Sequence, residues 1–296
     1  MRLFFSKSII TIVFVIAALV IGVPVLFNLN KEVSEPLPGA PAETPKNLDS
    51  KYKTIGLSVE GRLIESYTFG RGKTHLLFVG GIHGGYEWNS VLLSYKFMDY
   101  LSVNPGFIPS NLTVTVIPSA NPDGVYKVIG KEGRFTASDA PPNGSAEPGR
   151  FNAHTVDLNR NFDCKWQPEG RWKGNTVSGG TAAFSEPEAR AIRNFTLDNR
   201  PTAVVFWHSQ ANAVYASECQ AGILPATLDI MRAYSKAAGY PANDSFDAYQ
   251  VTGDAEGWLA SIGIPAITVE LVTHETIEWE RNLAGIKALF EYYSAK

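Results

Sequence analysis

From Lys51 onward the chain alternates short apolar runs with stretches of helical spacing, and this alternation restricts the fold more than any other feature of the sequence. Residues 54–59 and 63–69 read as a hairpin joined through Glu60-Gly61-Arg62. Further strands are expected over 76–79, 112–117, 203–207 and 266–271. Residues 90–101 place Leu92, Leu93, Phe97 and Leu101 at helical intervals; 224–238, 254–261 and 275–293 also read as helices. Ser185-Glu186-Pro187-Glu188 reads as the start of a helix reaching Asp198, with Ser185 as cap, Glu188 closing a capping box and Pro187 in the first turn. Apolar strands alternating with helices imply an α/β fold around a mostly parallel sheet covered on both faces.

Polar residues capable of chemistry stand where these strands end. The run 76–79 breaks at Gly80-Gly81 and delivers His83, then Glu87; 203–207 delivers His208; Glu270 lies near the end of 266–271. In open α/β sheets the binding crevice lies outside the carboxyl ends of the strands. Imidazole and carboxylate are suited to zinc. Each residue also has a plain reading: His208 as a satisfied strand-end histidine, Glu270 as half of a buried ion pair. A carboxylate inside an apolar strand is costly unless paired or bound to a cation, and beside a metal it would serve as a general base. A long Gly/Pro-rich loop over 131–181 carries Asp157-Leu158-Asn159-Arg160-Asn161, and loops of that length usually have a function. Arg160 is either a surface charge or a bidentate clamp for a carboxylate.

The amino terminus is different material. Arg2 and Lys7 precede an uncharged run over 8–27, close to the roughly 20 residues that cross a bilayer. The charges place that end in the cytoplasm and the remainder outside. A cleaved signal segment is the competing reading, although no good small-x-small site follows the apolar run. The expected organisation is therefore an anchor or signal segment over 1–27, a Pro-rich linker over 28–50 and a catalytic domain over 51–296. That domain would lie outside the cytoplasm, membrane-anchored or, after cleavage, secreted. Cys164 and Cys219 either pair, as an exported chain permits, or stand as separate thiols; both readings stay open. A net charge of −3 with five histidines gives no basic footprint for nucleic acid.

Six motifs, in order, resemble the M14-type zinc metallocarboxypeptidases. They are Ile82-His83…Glu87-Trp88, Asn121-Pro122-Asp123-Gly124, Asp157 to Asp163, His208-Ser209, Tyr249 to Trp258, and Val269-Glu270-Leu271. The resemblance covers Leu76 to the carboxyl terminus. It implies a three-layer α/β/α sandwich around a mixed, largely parallel eight-stranded sheet. It also implies one zinc ion held by His83, Glu87 and His208, with Glu270 as base and proton donor. Arg150 would polarise the scissile carbonyl, with Arg134 as a rival. Asn159 and Arg160 would hold the substrate's terminal carboxylate and Tyr249 would close over it, while Asp123 would be structural. The sequence departs from the family in one place: three residues, Gly84, Gly85 and Tyr86, separate His83 from Glu87 where the family has two. The paired glycines are expected to absorb the extra residue in a bulge.

The implied reaction is hydrolysis of the C-terminal peptide bond of a peptide or cell-wall peptide. Asp254 and Glu256 would face the departing side chain and select a cationic group, as in Lys, Arg or diaminopimelate. Alternatively, both acids simply begin a helix. A cell-wall γ-D-glutamyl amidase, an N-acyl amino acid deacylase and a metal-free tethered binding domain are the other readings.

Overall fold

The computed structural model describes residues 51–141 and 146–295. Its sheet has eight strands in the order β1-β2-β4-β3-β7-β12-β8-β11. These are β1 (Lys51–Leu57), β2 (Leu63–Gly70), β3 (Thr74–Val79), β4 (Leu112–Ile117), β7 (Ala203–Ser209), β8 (Ala213–Ala216), β11 (Ala242–Asn243) and β12 (Ala266–Leu271). The central run β4-β3-β7-β12 is parallel. Antiparallel pairings join β1 to β2, β2 to β4 and β12 to β8. Two short hairpins stand outside this sheet: β5 (Glu169–Trp172) with β6 (Asn175–Ser178), and β9 (Glu218–Cys219) with β10 (Gly222–Ile223).

The period-2 geometry of strands explains why the central runs are apolar throughout. Leu76, Phe78, Val205 and Trp207 point to one face and pack with residues of α1 (Trp88–Val103), α4 (Pro225–Ala238) and α6 (Trp279–Ser294). Leu77, Val79, Val204 and Phe206 point to the other, against α3 (Pro187–Asn199) and α5 (Ala255–Ser261). The result is a three-layer arrangement. It leaves the carboxyl ends of β3, β7 and β12 side by side.

Several elements differ from the sequence reading. Asn121-Pro122-Asp123-Gly124 opens a helix, α2 (Pro122–Ile129): Asn121 Oδ1 accepts from Gly124 N at 2.9 Å, and Pro122 occupies the first turn. The expected capping box at Ser185 and Glu188 does not form. Ser185 Oγ donates instead to Glu186 Oε1, and the Glu188 carboxylate accepts from Val59 N and Asn152 Nδ2. Helix α6 starts at Trp279 and not Glu275, because Thr273 Oγ1 holds the amides of Glu275 and Thr276 in a turn. Cys164 and Cys219 form a disulfide, which settles the open pairing and ties the long loop to β9. The anchor or signal segment expected over 1–27 and the linker over 28–50 lie outside the described residues. Among the described residues no helix is long and apolar enough to cross a membrane.

Candidate metal centre

Past β3 the backbone turns at Gly81 (φ +66°) and Gly84 (φ +48°), and Gly84–Glu87 form a 3-10 turn running directly into α1. This turn takes up the extra residue. A Cβ on Gly84 would lie 2.5 Å from Gly149 O, and one on Gly85 2.5 Å from Val128 Cβ and 2.6 Å from Gly124 O. The start of α2 and the 3-10 turn Glu147–Arg150 thus press against the glycine pair, so both positions need the missing side chain. Ser90 Oγ accepts from Gly81 N at 3.0 Å and donates to Glu87 O at 2.7 Å, fastening the turn to the helix start. Glu87 is thereby brought back beside His83.

His208 is the penultimate residue of β7 and stands in register with Glu270 on β12. His83, Glu87 and His208 are all buried, and each offers a ligand atom within 4.8 Å of the others. The two imidazole rings lie 5.0 Å apart. His83 Nδ1 is buried with no hydrogen-bond partner, 3.5 Å from Asp157 Oδ1, which is costly unless a cation satisfies it. Glu87 Oε2 lies 3.1 Å from His208 Nδ1. Burial holds the His83 imidazole well below its usual range, helped by the charge of Arg150. Burial also acts to lower His208, yet the carboxylates of Glu87 and then Glu256 outweigh it and raise that imidazole well above its usual range. Two imidazoles and a carboxylate at these separations fit a zinc ion with a coordination position left open.

Glu270 is half-buried and accepts from Ala211 N at 3.2 Å. Burial, then the nearby Glu87 charge, pushes its carboxyl up to about 7. Arg150 is buried, donating from Nε to Asp157 Oδ2 at 2.9 Å, with Nη1 3.8 Å from Glu87 Oε1. Its guanidinium lies over the Trp172 ring at 4.5 Å. Arg134, the rival, is occupied elsewhere: it pairs with Asp99 on α1 at 2.8 Å and stacks on Tyr95. Arg160 is buried, donating to Asn159 O at 2.6 Å and to Arg171 O at 2.9 Å. Its Nε has no partner, and the guanidinium lies 5.9 Å from the Tyr249 ring. Tyr249 itself packs against Phe246.

The two acids expected at a side-chain pocket are engaged inside the protein. Asp254 caps α5, accepting from Gly257 N at 2.6 Å; burial pushes its carboxyl up to about 6. Glu256 is buried, with Oε1 3.0 Å from His208 Nε2 and Oε2 accepting from Asn159 Nδ2 at 3.2 Å. Asn159 Oδ1 accepts from Ala255 N at 2.8 Å, so its amide faces α5. All three residues, expected on substrate, make hydrogen bonds within the protein.

The sequence reading left out the wall beside Glu87. Tyr86, the extra residue of the motif, lies 5.3 Å from Trp172 and 4.5 Å from His274, ring to ring, and accepts from Lys173 Nζ at 2.9 Å. Ser209 Oγ lies 2.7 Å from His274 Nδ1. The irregular spacing was the visible signal for Tyr86. Trp172 and Lys173 carried none, because their position depends on the β5–β6 hairpin. His75 and His154 bond to Thr115 and Glu186.

Comparison with known proteins agrees with this fold. The model of a family described as zinc carboxypeptidase matches residues 44–284. A γ-D-glutamyl-L-diamino acid endopeptidase of Lysinibacillus sphaericus is 25% identical over 247 residues, covering 73% of this chain and 59% of that protein. The chain thus spans less than two thirds of that relative's length. The structure of a murein-tripeptide amidase from Escherichia coli O157 matches with a TM-score of 0.61 at 21% identity, covering 81% of this chain and 91% of the other. Bovine thrombin-activatable fibrinolysis inhibitor matches with a TM-score of 0.66 at 19% identity, covering 83% and 90%.

Proposed function

Because the chain belongs to the zinc carboxypeptidase family, we propose that it is a zinc-dependent peptidase that removes the last residue of a peptide. The observation that carries this reading is the meeting of His83, Glu87 and His208 within 4.8 Å, with Glu270 in register beside His208. His83, Glu87 and His208 would hold the ion. Bound zinc supplies a Lewis acid and lowers the pKa of water toward about 7.

Glu270 takes a proton from the attacking water and delivers it to the leaving amine. Its tuned carboxyl suits both halves of that task. Arg150, fixed by Asp157 next to Glu87, presents positive charge where the carbonyl oxygen becomes negative. Arg160 is a buried cation with an unpartnered Nε below the Tyr249 ring and attracts the substrate's terminal carboxylate. Chelation should abolish release of a single C-terminal residue from a peptide library, and re-addition of zinc should restore it. Internal cuts that persist with chelator would defeat the assignment.

A second reading is favoured by the rim. Asp254 and Glu256 are both engaged, so neither is free to select a cationic terminal residue. Beside Arg150 stand Tyr86, Trp172 and Lys173. That aromatic and cationic wall suits a substrate with additional carboxylates. Together with the γ-D-glutamyl-L-diamino acid endopeptidase activity named for the Lysinibacillus relative, it supports cleavage of a γ-D-glutamyl bond to a diamino acid, as found in cell-wall peptides. Product analysis on a γ-D-glutamyl-diaminopimelate peptide and an ordinary α-linked peptide separates the two. Cleavage of the α-linked peptide alone would dismiss the second reading.

A further inference from the structure

We infer that Glu256 is a positioning residue of the metal centre, fixed behind His208 by Asn159 and Thr268, and not an acid that selects the substrate's side chain. The inference rests on the zinc reading given above.

Glu256 lies in the first turn of α5 and is 3% exposed. Its Oε1 lies 3.0 Å from His208 Nε2 and accepts from Thr268 Oγ1 at 3.1 Å, while Oε2 accepts from Asn159 Nδ2 at 3.2 Å. Asn159 is itself held at three points: its Oδ1 accepts from Ala255 N, its own N donates to Asp157 Oδ1 at 3.1 Å, and its carbonyl accepts from Arg160. Three separate elements, the 158–160 turn, β12 and β7, therefore converge on one carboxylate of α5.

With His208 Nε2 committed to Glu256, the ring turns Nδ1 toward Glu87 Oε2, 3.1 Å away, on the side of His83. A carboxylate on the outer nitrogen of a ligand imidazole places the proton there, leaves the lone pair on the inner nitrogen and fixes the ring plane. A substrate cation would have to break this arrangement to reach Glu256, because both carboxylate oxygens are engaged and the side chain is buried.

The test uses the full chain as wild type, Glu256→Gln and Thr268→Val. Zinc dissociation constants are measured by competition with a chromogenic chelator. Cleavage is measured on two peptides that end in Lys and in Phe. Glu256→Gln should weaken zinc about 10- to 100-fold and leave the Lys-to-Phe ratio of kcat/KM unchanged once zinc is saturating. Thr268→Val, which removes one supporting bond, should weaken zinc to a smaller extent in the same direction. Unchanged zinc affinity with a loss confined to the Lys peptide would overturn the inference.

A nitrogen-15 correlation spectrum of the His208 ring in metal-free protein gives a readout independent of loading. A proton on Nε2 in the wild type that shifts in Glu256→Gln supports the contact; identical spectra refute it. This arm also separates the two failures: wild type that binds no zinc would sink the zinc reading and with it the metal-positioning role, whereas identical ring spectra in a protein that does bind zinc would sink the Glu256 contact alone.

Discussion

Replacing Gly84 with alanine tests why the irregular His83–Glu87 spacing works. At φ +48° an alanine pays the left-handed penalty, roughly 1–2 kcal/mol. Its Cβ would also lie 2.5 Å from Gly149 O and 2.8 Å from Gly124 Cα. Both are backbone atoms, so relief requires the start of α2 or the Glu147–Arg150 turn to move, at about 1–3 kcal/mol for an overpacked site. The sum is about 2–5 kcal/mol of stability. The same movement displaces Arg150 relative to Glu87, so zinc affinity should fall as well. Urea unfolding gives the first quantity and chelator competition the second. Gly106→Ala is the control, because nothing lies within 4 Å of the Cβ it would add; it should stay within about 0.5 kcal/mol of wild type. A Gly84→Ala protein as stable as Gly106→Ala, with wild-type zinc affinity, would refute the packing argument.

Glu270→Gln keeps the shape but cannot carry a proton, so turnover should drop at least about 10²-fold with zinc affinity nearly unchanged; more than a tenth of wild-type turnover would remove Glu270 from the proton-transfer role. His208 is raised well above its ordinary value of 6.5, against burial, by Glu87 and Glu256. In metal-free protein this proton's stabilisation is full below 6.5 and is lost as pH rises through the folded value. Zinc must displace the proton, so affinity should rise about tenfold per pH unit while it does so. Calorimetry in buffers of different ionisation enthalpy counts that proton, and none released at neutral pH would contradict the assignment. Reducing Cys164–Cys219, 55 residues apart, should cost about 4 kcal/mol by loop entropy, read as a lower urea midpoint for the reduced chain.

Much of the framework is legible in the residues, because apolar strands such as Val204–Trp207 announce burial by composition alone, and glycines, His and Glu at their ends announce a crevice. What escaped depends on contacts distant in sequence. Helix α2 was hidden because Asn-Pro-Asp-Gly is equally good turn chemistry, and only the cap from Asn121 to Gly124 decides it. Spacing after Tyr249 gives the neighbourhood of Glu256 and not the contacts of its carboxylate. Its partner is His208, 48 residues earlier. Tyr86 was visible only as an interruption, and its place beside Trp172 needs the β5–β6 hairpin to exist.

The most direct test of the account is metal analysis of the purified chain joined to a timed digest of a peptide with a free carboxyl end. The account predicts one zinc per chain and loss of a single C-terminal residue, stopped by chelator, with His208→Ala losing both metal and cleavage. A chain that binds no zinc at stoichiometric levels, or one whose hydrolysis survives chelation and His208→Ala, would contradict it.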